Sequence, residues 1–260
     1  MTFSLTTSWR ISLLSPFGLL AMTNPGADIY AVPAPVLRSW TAEHRLVVLR
    51  GFAPLEGEDL PMFCETLGEV VAWDLNREED RNAHCEEKHL LAPEQAVPLH
   101  WDGMFAEETP SFTLFHCDDA PAVGEGGEAI FCDTTRMLRQ TPSEERALFE
   151  QVEITYREDE GGGIIAPLVV PHPVTEEATL RFAEPVRGDN GVELTISGIV
   201  EEAADAFVEE LRSRLLAPQV GYAHEWKRGD MIIADNHALL HGRRALRSGS
   251  RRRVRRVSLR

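Results

Sequence analysis

Cysteine is scarce in this chain of 260 residues: Cys64, Cys85, Cys117 and Cys132 include no CxxC pair and are too few for a disulfide framework. That usage suits a reducing cytoplasm. No stretch reaches the roughly eighteen apolar residues of a membrane span. One apolar run, Ile11 to Met22 behind Arg10, has the look of a signal-peptide core. Pro16 and Gly18 interrupt it and no small-x-small cleavage site follows, which argues against export. A phosphate-binding glycine loop is missing too, because Gly161-Gly-Gly163 lacks the spacing and the following lysine, and there is no internal repeat. Positive charge is in deficit: the net charge of −16 argues against nucleic acid as the main partner.

What basic charge there is gathers at one end. Nine arginines and no acid lie between Arg243 and Arg260, which leaves the rest of the chain near −25. Val254, Val257 and Leu259 punctuate them as in a partly buried terminal strand whose arginines pair with the acidic body. A hydrophobic content of 43% suits one domain over 1–260.

Periodicity predicts a helix over 34–44, a buried strand over 45–50 closed by Gly51, and a helix capped by Asp59 running to about Val70 with Leu60, Phe63 and Leu67 on one face. Residues 71–95 are mostly polar and aperiodic, and a loop of that length reads as an active-site lid. In it His84, Lys88 and His89 either touch substrate or form a solvated face. Strands are expected over 97–100, 111–117, 128–132, 222–226 and 231–234. Helices are expected over 142–152, behind the capping box Thr141-Pro-Ser-Glu144, and over 200–215, where Val200, Ala203, Ala204, Phe207, Val208, Leu211 and Leu215 share a face. Short strands with turn signals and a few flanking helices predict a mainly β, α+β fold: a jelly-roll, cupin-like double-stranded β-helix core flanked by helices.

The chemistry begins at Pro98-Leu-His100-Trp-Asp102. Residues two apart on a strand share a face, so His100 and Asp102 can approach one cation together. A third ligand must come from far along the chain. His241 sits just past the apolar strand in Gly229-Asp-Met-Ile-Ile-Ala-Asp-Asn236, and His237 is the alternative. Two imidazoles and one carboxylate on one octahedral face leave three positions for other ligands, the donor set of non-haem Fe(II) oxygenases. Zinc or manganese in a hydrolase or isomerase, or a non-enzymatic sandwich-fold binding protein with an anion-binding arginine strand, stay as rival readings.

In order along the chain, His100-x-Asp102, Gly126-Gly127-Glu128, His172-Pro173, Gly229-Asp230, Asp235-Asn236 and His241-Gly242-Arg243 resemble the TauD/TfdA-like family of Fe(II)- and 2-oxoglutarate-dependent dioxygenases over about 40–260. The resemblance implies His100, Asp102 and His241 as iron ligands, with 2-oxoglutarate and O₂ as co-substrates. It implies Arg252, eleven residues after His241, as the partner of the distal carboxylate of 2-oxoglutarate; a planar guanidinium suits that bidentate pair. By position Arg256 resembles a second arginine that meets an anionic group of the substrate, against the alternative of pairing with the acidic body. Arg252 and Arg256 should share a strand face that Arg251 and Arg253 do not.

One position departs from the family: Ala129 stands where a threonine usually helps hold 2-oxoglutarate. The lost hydrogen bond should cost about 1 kcal/mol, with Thr134 or water as substitutes. Pro98-Leu-His-Trp-Asp-Gly-Met-Phe105, Phe131-Cys-Asp-Thr-Thr-Arg136 and Leu180-Arg-Phe-Ala-Glu-Pro185 further resemble oxygenases that act on amino-acid-derived isonitriles such as that of tyrosine. That likeness implies hydroxylation or desaturation of a small carboxylate-bearing substrate in secondary metabolism, with a taurine- or alkylsulfonate-type reaction as the alternative. Asp102 fills the position that halogenases of the superfamily leave open, so halogenation is disfavoured. His172 reads as a structural histidine, Cys117 and Cys132 as small buried hydrophobes, and Trp73 and Trp101 as pocket walls or packing. Neither membrane nor nucleic acid is expected as partner, and a homo-oligomer is left open.

Overall fold

The computed structural model describes residues 9–71, 94–158, 163–186 and 191–260. The lid expected over 71–95 therefore lies almost wholly outside the described residues, with Trp73, His84, Cys85, Lys88 and His89.

The chain opens with β1 (Arg10–Leu13), β2 (Leu19–Ala27), α1 (Ala34–His44), β3 (Leu46–Phe52) and α2 (Asp59–Leu67). Next come β4 (Val97–His100), β5 (Phe112–Asp119), β6 (Ala129–Asp133), α3 (Thr134–Gln140) and α4 (Ser143–Phe149). After β7 (Glu153–Glu158), β8 (Gly163–Pro167), β9 (Val169–Pro171), β10 (Ala178–Leu180) and β11 (Val192–Ser197), the chain forms α5 (Ala204–Leu215). It ends with β12 (Gly221–His224), β13 (Met231–Asp235), β14 (Leu239–Arg243) and β15 (Arg253–Leu259). The major sheet has the order β1-β2-β3-β13-β5-β15 and the minor sheet β12-β6-β14-β4, with smaller sheets β11-β7-β8 and β10-β9. Only the β2 and β3 pairing is parallel among these.

Side chains that alternate along each strand divide the core into three layers. From the major sheet Leu46, Val48, Phe115, Cys117, Ile232, Ala234 and Val254 face inward, where they pack against Ala129, Phe131 and Leu239 of the minor sheet. Val47, Leu49, Leu114, Ile233, Val257 and Leu259 face outward under α1 and α2. Behind the minor sheet, Leu99, Ile130, Cys132 and Leu240 pack against residues of α3, α4 and α5 and the β7 sheet. β13 is buried along its whole length, which explains its unbroken apolar sequence: both faces are covered. Each Leu, Ile or Phe side chain fully buried here contributes roughly 1.5–3 kcal/mol.

Several expectations are corrected. Glu58, not Asp59, is the N-cap of α2, and the helix stops at Leu67 because Gly68 is extended. The capping box does not form; Thr141 instead donates its hydroxyl back to Met137 O at 3.0 Å and Pro142 precedes α4. The helix expected from Val200 starts as a short 3-10 turn, Glu201–Ala203, and Val200 is 68% exposed. The run Ile11 to Met22 folds largely into the hairpin of β1 and β2. No helix among the described residues is long and apolar enough to cross a membrane.

Candidate active site

β4 and β14 are neighbours in the minor sheet, with His100 and His241 directly opposed. This register is what joins residues far apart in sequence. The two imidazole centroids are 4.4 Å apart. Asp102, two residues beyond His100, presents Oδ1 at 3.9 Å from His100 Nε2 and 3.5 Å from His241 Nε2. One ligand atom from each of the three residues lies within 4.8 Å of the others, and this triplet forms the only such histidine, cysteine and carboxylate group among the described residues. Bonds to a shared ion near ~2 Å are in reach after a small contraction.

The protonation pattern suits a cation. His100 Nδ1 is 2.9 Å from Pro98 O, an acceptor only, so Nδ1 carries the proton and Nε2 keeps its lone pair. His241 Nε2 is buried and has no hydrogen-bond partner. Burial and the facing His241 push the His100 pKa down to about 4, so at neutral pH no proton competes for its lone pair. Burial works against the charge of Asp102, yet the Arg256 guanidinium and the two imidazoles hold its carboxyl well below the usual range. A buried imidazole nitrogen without a partner, beside an ionised carboxylate, is the donor set a divalent metal completes.

Asp102 is fixed from every side. Its Oδ2 accepts from Thr113 Oγ1 at 2.7 Å and Ser258 Oγ at 3.4 Å, and its Oδ1 from Arg256 Nη1 at 2.8 Å. Its peptide is clamped by Asn236, whose Oδ1 accepts the Asp102 N–H at 2.9 Å while Nδ2 donates to Asp102 O at 3.0 Å and Pro110 O at 2.9 Å. In the sequence Asn236 stands within a motif with no role of its own, and Thr113 and Ser258 carry no signal at all.

The arginine strand begins only at Arg253 and shifts register between Arg253 and Val254, so strict alternation does not run from Arg252 to Arg256. Arg256 points inward to Asp102, so it is not a surface arginine pairing with the acidic body. Arg252 reaches the interior at the β6 end, where Nε donates to Gly127 O at 3.0 Å and the guanidinium carbon lies 5.9 Å from the Trp226 ring centre. Gly127 is needed there: at φ +78° an added Cβ would lie 3.1 Å from Arg252 Cδ and 3.0 Å from Leu246 Cδ1. Arg253 turns outward to Asp118.

Two other readings fail. Thr134 cannot substitute for the hydroxyl missing at Ala129, because it is fully buried and donates to Ala238 O at 2.6 Å. His237 is not the third ligand; its Nδ1 lies 2.9 Å from Arg181 Nη2 and it stands outside the triplet. His172 is structural, with Nε2 3.1 Å from Asp235 Oδ2 and Nδ1 accepting from Val174 and Thr175 N–H. Trp101 turns away from the ligands, edge-on to Tyr156 and under the Arg181 guanidinium. Cys117 and Cys132 are buried, and burial pushes the Cys117 thiol up to about 12, so neither is a nucleophile.

Residues 20–258 match the model of the taurine catabolism dioxygenase TauD, TfdA family. The chain is 40% identical over 260 residues to a 3-((Z)-2-isocyanoethenyl)-1H-indole synthase of Fischerella ambigua, covering 96% of this chain and 95% of that protein. It is 38% identical over 257 residues to a tyrosine isonitrile desaturase of Pseudomonas aeruginosa, covering 94% and 87%. Among solved structures it resembles PvcB, an Fe, alpha-ketoglutarate dependent oxygenase from an isonitrile synthetic pathway, with a TM-score of 0.79 at 35% identity over 96% of this chain and 91% of that one.

Proposed function

This chain belongs to the TauD/TfdA dioxygenase family, and from that premise we propose that it hydroxylates or desaturates an amino-acid-derived isonitrile, with His100, Asp102 and His241 holding its iron. It is an oxidoreductase that uses Fe(II), 2-oxoglutarate and O₂ on a small-molecule substrate. When bound, the iron and 2-oxoglutarate supply the oxidation, 2-oxoglutarate leaving as succinate and CO₂ while the substrate gains a hydroxyl or loses two hydrogens with release of water. The observation that carries the assignment is the buried, unpartnered His241 Nε2 facing the Asp102 carboxylate and the free lone pair of His100.

The protein's own part is position and charge. His100 and His241, opposed on adjacent strands, set two ligand directions before any ion arrives, and Thr113, Ser258 and Asn236 set the third. Arg252 anchors the distal carboxylate of 2-oxoglutarate at the Gly127 end, and Arg256, which is paired with Asp102, meets the substrate carboxylate. The two facing sheets form the double-stranded β-helix of jelly-roll, cupin-like proteins, with the ligands in the layer between them. Isonitrile substrates are favoured because the relatives sharing more than a third of the sequence over nearly full length are named for them.

The test is an anaerobic titration of the protein with Fe(II) and 2-oxoglutarate. A weak visible charge-transfer band should appear and be absent from His100→Ala. Succinate release should rise with the isonitriles derived from tyrosine or tryptophan, and Arg252→Ala should raise the 2-oxoglutarate requirement about 10- to 100-fold, as expected for a charge-assisted pair. No band in the wild type would remove the oxygenase reading of this site.

A further inference from the structure

The interior corner that receives Arg252 lacks one side chain and has one donor in excess. Ala129 ends there in a methyl group, and Thr134 does not replace the hydroxyl, being committed to Ala238 O. Opposite it, Tyr222, His224 and Trp226 alternate inward along β12 and the turn that follows; His224 pairs directly with Ala129. Both His224 nitrogens are engaged, Nδ1 at 3.1 Å from the Tyr222 hydroxyl and Nε2 at 3.1 Å from Asp230 Oδ2. Trp226 differs. It is 6% exposed, packs in the inner layer with Ala129, Cys117 and Val254, and stands edge-on to His224 at 4.6 Å. Its Nε1–H is buried with no acceptor among the described residues.

An indole N–H that leaves water without finding an acceptor is penalised, and native proteins keep few such groups without a reason. Trp9 also has an unpaired indole N–H, but it lies in the outer layer against Trp40 and Phe52, and no cation–ring contact involves it among the described residues. At Trp226 a guanidinium lies 5.9 Å from the ring and a family hydroxyl is missing from the facing strand. A group that gives the indole N–H an acceptor and suits a neighbouring guanidinium is an anion with several acceptor sites.

Building on the reading that Arg252 takes 2-oxoglutarate, we infer that Trp226 is a second anchor for its distal carboxylate, the indole N–H donating to one oxygen while the guanidinium faces the same group. The indole does the work of the absent hydroxyl. It is a rigid donor held by packing, so little rotamer freedom is lost when the ligand arrives. Its ring also lies under the Arg252 guanidinium, which keeps that side chain extended toward the carboxylate.

The test uses the Fe(II)-loaded protein without O₂ and reads affinity from the charge-transfer band with two ligands: 2-oxoglutarate, and 2-oxovalerate, which has the same length but a methyl in place of the distal carboxylate. Trp226→Phe should weaken 2-oxoglutarate about tenfold, the scale of one hydrogen bond to a charged group, and leave 2-oxovalerate unchanged. Should Trp226→Phe fail to fold, benzothienylalanine at position 226 keeps the ring shape, exchanges N–H for sulfur, and should give the same ligand-selective loss. Equal loss for both ligands, or loss for neither, overturns the role of Trp226 while the oxygenase reading stands. Absence of the band in the wild type overturns that reading first.

Discussion

Two buried corners of the molecule are built from the same residue types and differ in one respect. At the first, Asp230 receives Arg50 at 2.8 and 2.5 Å, His224 at 3.1 Å and the Lys227 N–H at 2.8 Å, and the far nitrogen of His224 meets Tyr222. At the second, Asp102 receives Arg256, Thr113 and Ser258, but the buried His241 Nε2 beside it has no hydrogen-bond partner. Aspartate, arginine and histidine in contact thus describe both a closed structural lock and an open cation site. What separates them is the count of hydrogen-bonding positions left over, a quantity that composition and spacing do not carry. Asp235, with Arg45 at 3.0 Å and His172 at 3.1 Å, is a second closed lock.

The sharpest way to break this contrast is to delete each carboxylate. Asp102→Ala should lower Fe(II) affinity by more than about 100-fold, since it removes a ligand rather than a supporting group. Asp230→Ala should leave iron stoichiometry near that of the wild type but cost about 3–5 kcal/mol of stability, because it strands the buried His224 and the half-buried Arg50. Iron content by chelator assay and urea denaturation of both variants decide the matter. Loss of iron in Asp230→Ala at unchanged stability would show that the two corners are not separate in kind.

The ligands were legible in the sequence because two signals agreed: the close spacing of His100 and Asp102, although β4 ends at His100 and Asp102 lies in the turn beyond it rather than on the strand, and an ordered set of motifs ending in His241-Gly-Arg. The central strands were legible for a similar reason, since unbroken apolar runs such as Met231 to Asp235 occur where both faces are covered. What failed was local. Thr141-Pro-Ser-Glu144 has the form of a capping box, but a hydroxyl that can bond back to Met137 O follows the end of α3, a helix the periodicity did not reveal. Within the β7 to β11 region β9 and β10 are three residues each, too short to show a period, whereas β7 and β11 alternate apolar and polar residues over six positions and were legible in principle. Asn236 and Trp226 were beyond reach for a different reason: a clamp on a residue 134 positions away and an unmatched donor are properties of the assembled interior.

Asn236 sharpens the contrast from the side of the ligand's support. All the hydrogen bonds of its side chain go to the Asp102 peptide and Pro110 O, so it holds the backbone that carries the carboxylate and never the carboxylate itself. Asn236→Ala should reduce Fe(II) affinity about 10- to 100-fold, the usual effect of removing a ligand's support, while retaining the charge-transfer band at saturating iron. A band that is lost even at saturation would make Asn236 part of the coordination chemistry rather than its scaffold.

The smallest effect expected concerns protons, and it asks whether the histidines outside the metal corner are held neutral by their surroundings. Burial, aided by the Arg181 guanidinium, pushes the His237 pKa from 6.5 down to about 4. A histidine depressed in the folded state lends stability that is complete above its unfolded pKa near 6.5 and is lost as pH falls toward 4. Asp230 and Asp235 are also depressed, but from 3.8, so their contribution falls away only in stronger acid. The window between pH 6.5 and 4 therefore reports chiefly on histidines, His100, His116 and His224 shifting in the same direction as His237, while the buried Glu184 carboxyl, pushed up from 4.5, titrates in it with the opposite character. Because His237 keeps some contact with solvent, its share should be about 1 kcal/mol, less than the full shift would give. His237→Asn keeps an acceptor for Arg181 and removes the titration. The variant's melting temperature should consequently fall less than the wild type's between pH 6.5 and 4.5 in the metal-free protein, and parallel curves would mean that His237 is no more shielded from protons than a surface histidine.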